Sequence, residues 1–249
     1  MLEIECTQAV ATVRMVHGKV NAMSQEFVEK LNATFEELKA DDQVKQVIIA
    51  GNEKIFSAGV DLKRLANEGA EYLDRFLPEL TRLFLDVFNF PKPLIAAITG
   101  PAVAGGCVLA CAADYRVIAE RAIIGVPELR VGVPFPSAGM EIMRWATTSP
   151  AFRAIINTGA TFRGEDAVAV GLADEVAKRS DILEAAGNAI EPFRVVPTEV
   201  FKLTKRQMRL PVLDRIRRSE EEFGNEINRY WRHPETRAAV TRYVNERLS

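Results

Sequence analysis

The sequence is poor in the side chains that most often perform covalent or metal chemistry. Its 249 residues include 2 histidines and 3 cysteines, and an odd number of cysteines does not indicate a disulfide framework. We interpret Cys6, Cys107 and Cys111 as reduced and buried small side chains. The alternative is a Cys107 nucleophile with a lowered pKa at a helix N-terminus, although neither His17 nor His233 is near it in sequence. We expect no metal site and no bound cofactor.

Long apolar runs and an excess of one charge are also absent. No uninterrupted apolar run approaches the roughly 20 residues that span a bilayer. The formal net charge is -2, which provides no overall attraction to nucleic acid or to a membrane surface. The stretch MLEIECTQAVATVRMV carries Glu3, Glu5 and Arg14 and alternates like strands, which is not typical of a signal or transit peptide. We therefore expect a cytoplasmic protein with neither a nucleic-acid nor a membrane partner.

The first half of the chain alternates between strand and helix patterns. Apolar or alternating runs predict strands over residues 9–16, 44–50, 94–99, 114–120 and 122–126. Amphipathic patterns predict a helix over 25–40, with Ser24 as its N-cap, and a helix over 70–89, with a break or kink expected at Pro78. Strands separated by helices favour an α/β fold with parallel pairing.

The pattern becomes mainly helical near Pro150. One further short strand is predicted over 172–176, and helices are predicted over about 180–192, 197–210, 212–230 and 234–247. No linker or low-complexity tract separates the two parts. We therefore divide the chain into a core of residues 1–195 and a helical C-terminal region of residues 196–249, which is not an independent domain.

Two glycine-containing loops follow buried strands. After the strand 44–50, the segment FSAGVD leads into a short helical stretch, and after the strand 94–99 the adjacent Gly105 and Gly106 begin another helix. Amides exposed in the first turn of a helix attract negative charge, so one N–H group from each loop can form an oxyanion hole. The alternative explanation of either motif is tight packing between strand and helix, which also requires glycine.

Several long motifs resemble the signature of the crotonase superfamily, which contains the enoyl-CoA hydratases and isomerases. In chain order they are GKVNAM, FSAGVDL, KPLIAAITGPAVAGGCVLACAADYRV, IGVPELRVGV and TFRGEDAVAVGLADEV, and the similarity extends from about residue 10 to the C-terminus. The resemblance implies an α/β fold built as a spiral of ββα units with a helical C-terminal region. It also implies an acyl-CoA substrate and assembly into a homotrimer or hexamer.

The resemblance assigns roles to residues near the two loops. The oxyanion-hole N–H groups fall on Val60 and Gly105. Hydratases of the family use two glutamates, and the two corresponding positions here are Val108 and Glu128. A single carboxylate can remove a proton from C2 of a 3-enoyl thioester and return it at C4 while the oxyanion hole stabilises the dienolate. The one-glutamate pattern is typical of the isomerases of the family.

The resemblance also suggests residues around the CoA and acyl groups. The loop 19–22 corresponds to the segment that meets the adenine end of CoA, and Asp61 is interpreted as a local helix cap. The implied CoA-binding residues are Lys19, Val20, Ala22, Ala58, Asp61, Tyr243 and Arg247. The implied acyl pocket contains Val108, Phe135 and Glu141, and Glu141 is the other candidate acid.

These observations predict an enzyme that isomerises 3-enoyl-CoA to 2-enoyl-CoA with Glu128 as the single proton shuttle. Hydration of 2-enoyl-CoA remains an alternative, as do other enolate reactions on an acyl-CoA, such as decarboxylation or thioester hydrolysis. An alternative of another class is a non-catalytic protein that binds CoA or RNA on the same scaffold. The near-neutral charge argues against RNA, and the presence of Glu128 argues against an inert protein.

Overall fold

A computed structural model describes residues 1–247, apart from the side chain of Arg247. Its strands are β1 (Leu2–Thr7), β2 (Val10–Met15), β3 (Gln46–Ala50), β4 (Leu94–Ile98), β5 (Ala102–Val103), β6 (Tyr115–Ala119), β7 (Ile123–Gly125), β8 (Thr161–Arg163) and β9 (Glu175–Ala177). Its helices are α1 (Gln25–Ala40), α2 (Leu62–Asn67), α3 (Ala70–Phe88), α4 (Gly105–Cys111), α5 (Glu128–Val131), α6 (Ser137–Ala146), α7 (Ser149–Thr158), α8 (Gly164–Ala169), α9 (Ile182–Ile190), α10 (Thr198–Trp231) and α11 (Pro234–Arg247).

The strands form two sheets. The larger sheet has six strands in the order β1-β2-β3-β4-β6-β9, and only its first pair is antiparallel. The smaller sheet has three strands in the order β5-β7-β8, with β5 and β7 parallel. Two successive units have the same form: β4 and β6 lie in the larger sheet, β5 and β7 follow in the smaller sheet, and α4 and α5 come next. The predicted α/β fold with repeated ββα units is confirmed.

The centre of the larger sheet is buried on both faces. Every residue of β3 and β4 is buried, as expected for parallel strands covered by helices. Helix α3 contributes a buried aromatic stripe that includes Phe76, Phe84 and Phe88. Helix α1 begins after Ser24, whose hydroxyl accepts a hydrogen bond from the Phe27 N–H at 3.4 Å, so the predicted N-cap is confirmed.

The structure differs from the predicted helix boundary at Pro211, and it shows no break at Pro78. The separate helices predicted over 197–210 and 212–230 are one helix, α10, which contains Pro211. Helix α3 likewise continues through Pro78. An internal proline costs about 3 kcal/mol in a helix. In α10 the residues on both sides of Pro211 are anchored, because Arg209 and Val212 are buried, and this packing outweighs the local cost.

The strand predicted over 172–176 begins later, at Glu175. The backbone N–H groups of Leu172 and Ala173 both donate to the Ala167 carbonyl, at 2.8 and 3.2 Å. These two residues therefore close the end of α8 and are not available for pairing in the sheet. Strand β9 then pairs in parallel with β6.

The C-terminal helices pack on the core. Helix α10 lies against α6, and Lys205 and Arg209 of α10 each donate to Asp114 at 2.7 Å, before the start of β6. Helix α11 lies against α2 and α5. Within residues 1–247, none of the helices combines the length and apolar character needed to cross a membrane.

Candidate active site

The loops that follow β3 and β4 are joined by main-chain hydrogen bonds. The N–H groups of Phe56 and Ser57 donate to the Pro101 carbonyl at 3.0 and 3.1 Å, and the Val103 N–H donates to the Ser57 carbonyl at 3.0 Å. Both loops lie at the carboxyl ends of parallel strands, the usual position of ligand sites in open α/β sheets. The two segments that were predicted to form one site are therefore held side by side.

The residues on both sides of Val60 are held by main-chain hydrogen bonds to Met23. The Met23 N–H donates to the Gly59 carbonyl at 2.8 Å, and the Asp61 N–H donates to the Met23 carbonyl at 3.2 Å. Within residues 1–247, the Val60 N–H itself has no acceptor. A fixed N–H group without an intramolecular partner is what an oxyanion hole requires.

Gly105 presents the second free N–H group at the start of α4. Its neighbours are bonded, because the Ala104 N–H donates to the Gly125 carbonyl and the Cys107 N–H donates to the Ala104 carbonyl, both at 2.9 Å. The Gly105 N–H has no acceptor in the described part of the chain. A Cβ atom added to Gly59 would lie 2.9 Å from the Gly105 nitrogen, so the residue preceding Val60 touches the start of α4.

A side chain at Gly105 and a side chain at Gly106 would contact different kinds of atoms. A Cβ atom on Gly106 would lie 2.5 Å from the Ser57 carbonyl oxygen, so Gly106 is required for backbone packing between the loops. A Cβ atom on Gly105 would meet only side chains at close range, with the Met23 sulfur at 3.1 Å and the Phe84 ring at 3.5 Å. Close backbone packing therefore explains Gly106, whereas the same clash with backbone does not arise at Gly105.

Backbone strain is concentrated next to this N–H group. Ala104, which precedes α4, has φ 53° and ψ -130°, a conformation that residues with a side chain rarely adopt. Strained residues of this kind cost about 1–3 kcal/mol and are found preferentially at functional sites. The sequence offers no signal for this strain, because alanine is an ordinary residue in an apolar run.

Glu128 is a buried carboxylate without a cation. It is the first residue of α5, and 8% of its surface is exposed. Its Oε2 atom is buried and has no hydrogen-bond partner among the described residues. Burial raises the pKa of Glu128 to about 8, against a smaller opposing effect of its own backbone N–H. A neutral or weakly basic carboxyl group of this kind is suited to proton transfer near neutral pH.

An apolar wall surrounds Val108. Val108 is fully buried on α4, and a Cβ atom added to Gly139 of α6 would lie 3.6 Å from both Val108 Cγ2 and the Phe135 ring. Cys107 of α4 contacts Met143 of α6 at 3.9 Å between their sulfur atoms. The predicted pocket residues Val108 and Phe135 are therefore brought together.

Glu141 lies on a different side of α6 from the residues that face α4. Gly139 and Met143 face α4, and Glu141 lies two residues from each, about 200° around the helix. Its carboxylate accepts hydrogen bonds from Arg144 at 3.0 Å and from Arg215 of α10 at 2.7 Å. With both oxygens paired to guanidinium groups, Glu141 connects α6 to α10.

The structure also decides between the two interpretations of the cysteines. Cys107 and Cys111 are fully buried, as expected for structural side chains, whereas Cys6 is exposed, contrary to the prediction. Burial raises the pKa of the Cys107 thiol. A buried thiol with a raised pKa is a poor nucleophile, so Cys107 does not fit that role.

Asn21 joins the predicted CoA loop, residues 19–22, to the loop that follows β3 and contains Val60. Its side-chain amide donates to the carbonyls of Met15 and Phe56, both at 3.0 Å, and its φ is 47°, which asparagine tolerates better than most residues. The Ala58 N–H donates to the Val20 carbonyl at 3.0 Å. Asn21 was not among the predicted site residues, although asparagine is one of the few residue types that adopt a left-handed backbone readily, which is the signal that could have found it.

The remaining predicted residues lie around the same region. Lys19 and Val20 are exposed on the loop, and Ala22 is partly exposed. Asp61 caps α2 by accepting from the Arg64 N–H at 3.1 Å, as predicted. Tyr243 is half-buried on α11, the helix that lies over α2. The side chain of Arg247 lies outside the described residues.

Glu128 gives rise to a testable effect on stability. Its folded pKa of about 8 lies above the usual 4.5, so the stability it contributes is complete below pH 4.5 and is lost as the pH rises through 8. Glu128→Gln stays neutral, so we expect it to be more stable than the wild type at pH 9 by about 3–5 kcal/mol, since one pKa unit corresponds to about 1.4 kcal/mol. Denaturant unfolding at pH 4.5, 7 and 9 measures the difference, which should shrink toward the lowest pH. A gap independent of pH, or equal to that of the exposed Glu120→Gln control, would contradict the buried-carboxylate interpretation.

Comparison with known proteins agrees with this arrangement. Residues 5–248 match the family model described as enoyl-CoA hydratase/isomerase. A Thermus thermophilus protein provisionally named an enoyl-CoA hydratase is 35% identical over 193 residues, which cover 76% of this chain and 73% of that protein. Human mitochondrial enoyl-CoA delta isomerase 1 is 27% identical over 219 residues, which cover 87% of this chain and 72% of the relative.

The fold is also that of a solved relative. The crystal structure of human mitochondrial delta3-delta2-enoyl-CoA isomerase superposes with a TM-score of 0.93 at 24% identity, covering 98% of this chain and 96% of the human chain. Some relatives are thus named hydratases and others isomerases, and these names do not show which of the two reactions this chain catalyses. The chain belongs to the enoyl-CoA hydratase/isomerase family of the crotonase superfamily.

Proposed function

We propose that this protein isomerises 3-enoyl-CoA to 2-enoyl-CoA, with Glu128 as its single proton shuttle. The observation that carries the proposal is the contrast between the two glutamates buried in the described part of the chain. Glu128 has an oxygen without a partner, whereas both oxygens of Glu141 are held by arginines. The apolar Val108 stands where the family's hydratases have their other acid, and hydration is better served by two carboxylates around one water molecule.

Two backbone N–H groups and one carboxylate carry out the proposed isomerisation. The thioester oxygen accepts hydrogen bonds from the Val60 and Gly105 N–H groups, and ionised Glu128 removes a proton from C2. The electron pair moves into the dienolate, whose oxygen the two N–H groups stabilise. Glu128, now protonated, returns the proton at C4 and regains its charge. Protons and electrons balance within the substrate and one carboxyl group, so the reaction requires no added cofactor.

We place the CoA group along the loop that Asn21 fastens. Lys19, Val20 and Ala22 meet its adenine end, Ala58 and Asp61 lie beside its thioester end, and Tyr243 closes over it from α11. The support is that the Val20 carbonyl and the Ala58 N–H already join this loop to the oxyanion loop, and that α11 packs on α2. Phe135 and Val108 form the acyl wall.

The test is a comparison of products from matched thioesters. We expect the wild type to convert a 3-enoyl-CoA to the 2-enoyl isomer and to hydrate 2-enoyl-CoA more slowly by at least about 100-fold, within the usual contribution of one acid–base group. Val108→Glu should raise hydration relative to isomerisation, and Val108→Leu is its apolar control. Products are separated by retention and mass, with malonyl-type thioesters included for decarboxylation. Efficient hydration without movement of a 3-enoyl double bond would show that the isomerase proposal is wrong.

We also propose that the protein assembles as a homotrimer or hexamer. Helix α10 exposes Val200, Leu203 and Leu210 at spacings of three and seven residues, which place them on one helix face. Such a face is suited to burial against another copy. We expect light scattering to give three or six times the 27.6 kDa chain mass, and Leu203→Glu to lower it. A single-chain mass at micromolar concentration would contradict the assembly.

A further inference from the structure

A second cavity lies at the opposite end of the sheet from the candidate active site. Its volume is about 320 Å³, and its lining includes Gln46, Pro93 and Thr198. Gln46 begins β3 and Pro93 directly precedes β4, so the cavity is at the amino ends of these parallel strands. The oxyanion loops follow the carboxyl ends of the same strands, and a five-residue strand is about 16 Å long. The two sites are therefore separate.

Gln46 is a buried amide that faces this cavity. It is 4% exposed, and in the described part of the chain its side-chain amide has no hydrogen-bond partner. Its position in the lining leaves that amide available to a ligand inside the cavity.

A lysine side chain and a helix N-terminus both contribute positive electrostatic potential to the same cavity. Lys45 lines it and has no ion-pair partner among residues 1–247. Thr198 is the first residue of the 34-residue helix α10, and the N–H groups of Thr198 and Glu199 have no acceptor in the described structure. Free first-turn N–H groups favour an anion. Arg194 adds a further cation at the edge, although it donates to Glu191 at 2.8 Å and so is partly neutralised.

The remaining wall is apolar and aromatic. Phe193 and Phe201 meet edge to face with ring centroids 5.6 Å apart, and Pro93 and Pro197 complete this side. Such surfaces favour a planar ring. A volume of about 320 Å³ is at the lower end of small-molecule pockets, which favours one ring system with an acid group over a molecule the size of CoA.

We propose that this cavity, defined by Lys45, Gln46, Thr198 and the Phe193–Phe201 pair, binds a small aromatic carboxylic acid that carries a hydrogen-bonding substituent. The carboxylate meets Lys45 and the free N–H groups of α10. The ring packs on the two phenylalanines, and the substituent pairs with the Gln46 amide. The site is independent of the proposed isomerase activity.

The probe is 4-hydroxybenzoate, titrated calorimetrically into the full-length protein. We expect one molecule bound per chain with a Kd of about 1 mM or lower, and no saturable binding of the uncharged 4-hydroxybenzyl alcohol. Lys45→Gln should weaken binding about tenfold, because a charge-assisted hydrogen bond is lost. Gln46→Leu should weaken it about fivefold, and the exposed Lys30→Gln is the matched control with unchanged affinity. Saturating CoA should leave the titration unchanged.

Four results would overturn the proposal. They are the absence of saturable binding at concentrations up to about 10 mM, equal binding of the uncharged analogue, unchanged affinity in both Lys45→Gln and Gln46→Leu, and displacement of the probe by CoA. Circular dichroism checks that each variant is folded, and Arg194→Gln replaces any that is not, with an expected loss of about threefold at the cavity edge. If a second copy of the chain covers the cavity, the titration will show no saturable binding, which is the first of these results.

Discussion

Glu128→Gln is expected to lower the rate of 3-enoyl-CoA isomerisation by about 10³-fold or more, because it removes the proposed sole acceptor of the C2 proton. The amide retains the size of the glutamate side chain but does not take up a proton at neutral pH. The affinity for CoA should stay within about threefold of the wild type, since Glu128 lies outside the proposed CoA contacts. Rapid-mixing assays of double-bond migration and a separate CoA titration measure the two quantities.

The pH dependence gives this prediction a second readout. Because burial raises the pKa of Glu128 to about 8, the free enzyme holds the group mainly protonated at pH 7 and becomes more active as the pH rises toward 8. Wild-type kcat/KM should therefore rise from pH 6 through pH 8 and level off only above that pKa. The exposed Glu120→Gln control should keep both the rate and the profile. A Glu128→Gln enzyme within about tenfold of wild type would rule out the single-shuttle mechanism.

The two loops of the proposed oxyanion hole could be located from the sequence because their signals are local. A buried strand followed by glycine and then by a helix start specifies an exposed N–H group within a few residues, and both Val60 and Gly105 lie in such segments. The same local pattern does not reveal that Gly106, and not Gly105, is packed closely against the backbone of Ser57. That distinction depends on Ser57, which is close in space and distant in sequence.

The predictions that proved wrong depend on tertiary contacts. In α6 the sequence SAGMEIMRWA has apolar or small residues on most of its circumference, so neither the face that meets α4 nor the pairing of Glu141 with arginines is evident from it. The break expected at Pro211 is prevented by the burial of Arg209 and Val212. Asn21 and the strained Ala104 hold the loops in place, and their importance follows from contacts that only the fold provides.

Gly105→Pro tests the proposed oxyanion hole against its matched variant Gly105→Ala. Both add a Cβ atom at the same place, 3.1 Å from the Met23 sulfur, which lies in a flexible side chain. Only proline also removes the N–H group, and Gly105 is the first residue of α4, where proline is well tolerated. We expect kcat of Gly105→Pro to be about 10²–10³-fold below that of Gly105→Ala, equivalent to the 2.7–4 kcal/mol that one oxyanion donor supplies.

Stability measurements separate this effect from damage to the fold. Denaturant unfolding of the two Gly105 variants measures what the additional Cγ and Cδ atoms of proline cost the fold, since the contacts of the added Cβ atom are the same in both. Gly106→Ala should lose about 2–3 kcal/mol of stability, since its Cβ atom would lie 2.5 Å from the Ser57 carbonyl oxygen. If Gly105→Pro is folded and turns over within about fivefold of Gly105→Ala, the Gly105 N–H does not stabilise the dienolate, and the second donor must be sought elsewhere at the start of α4.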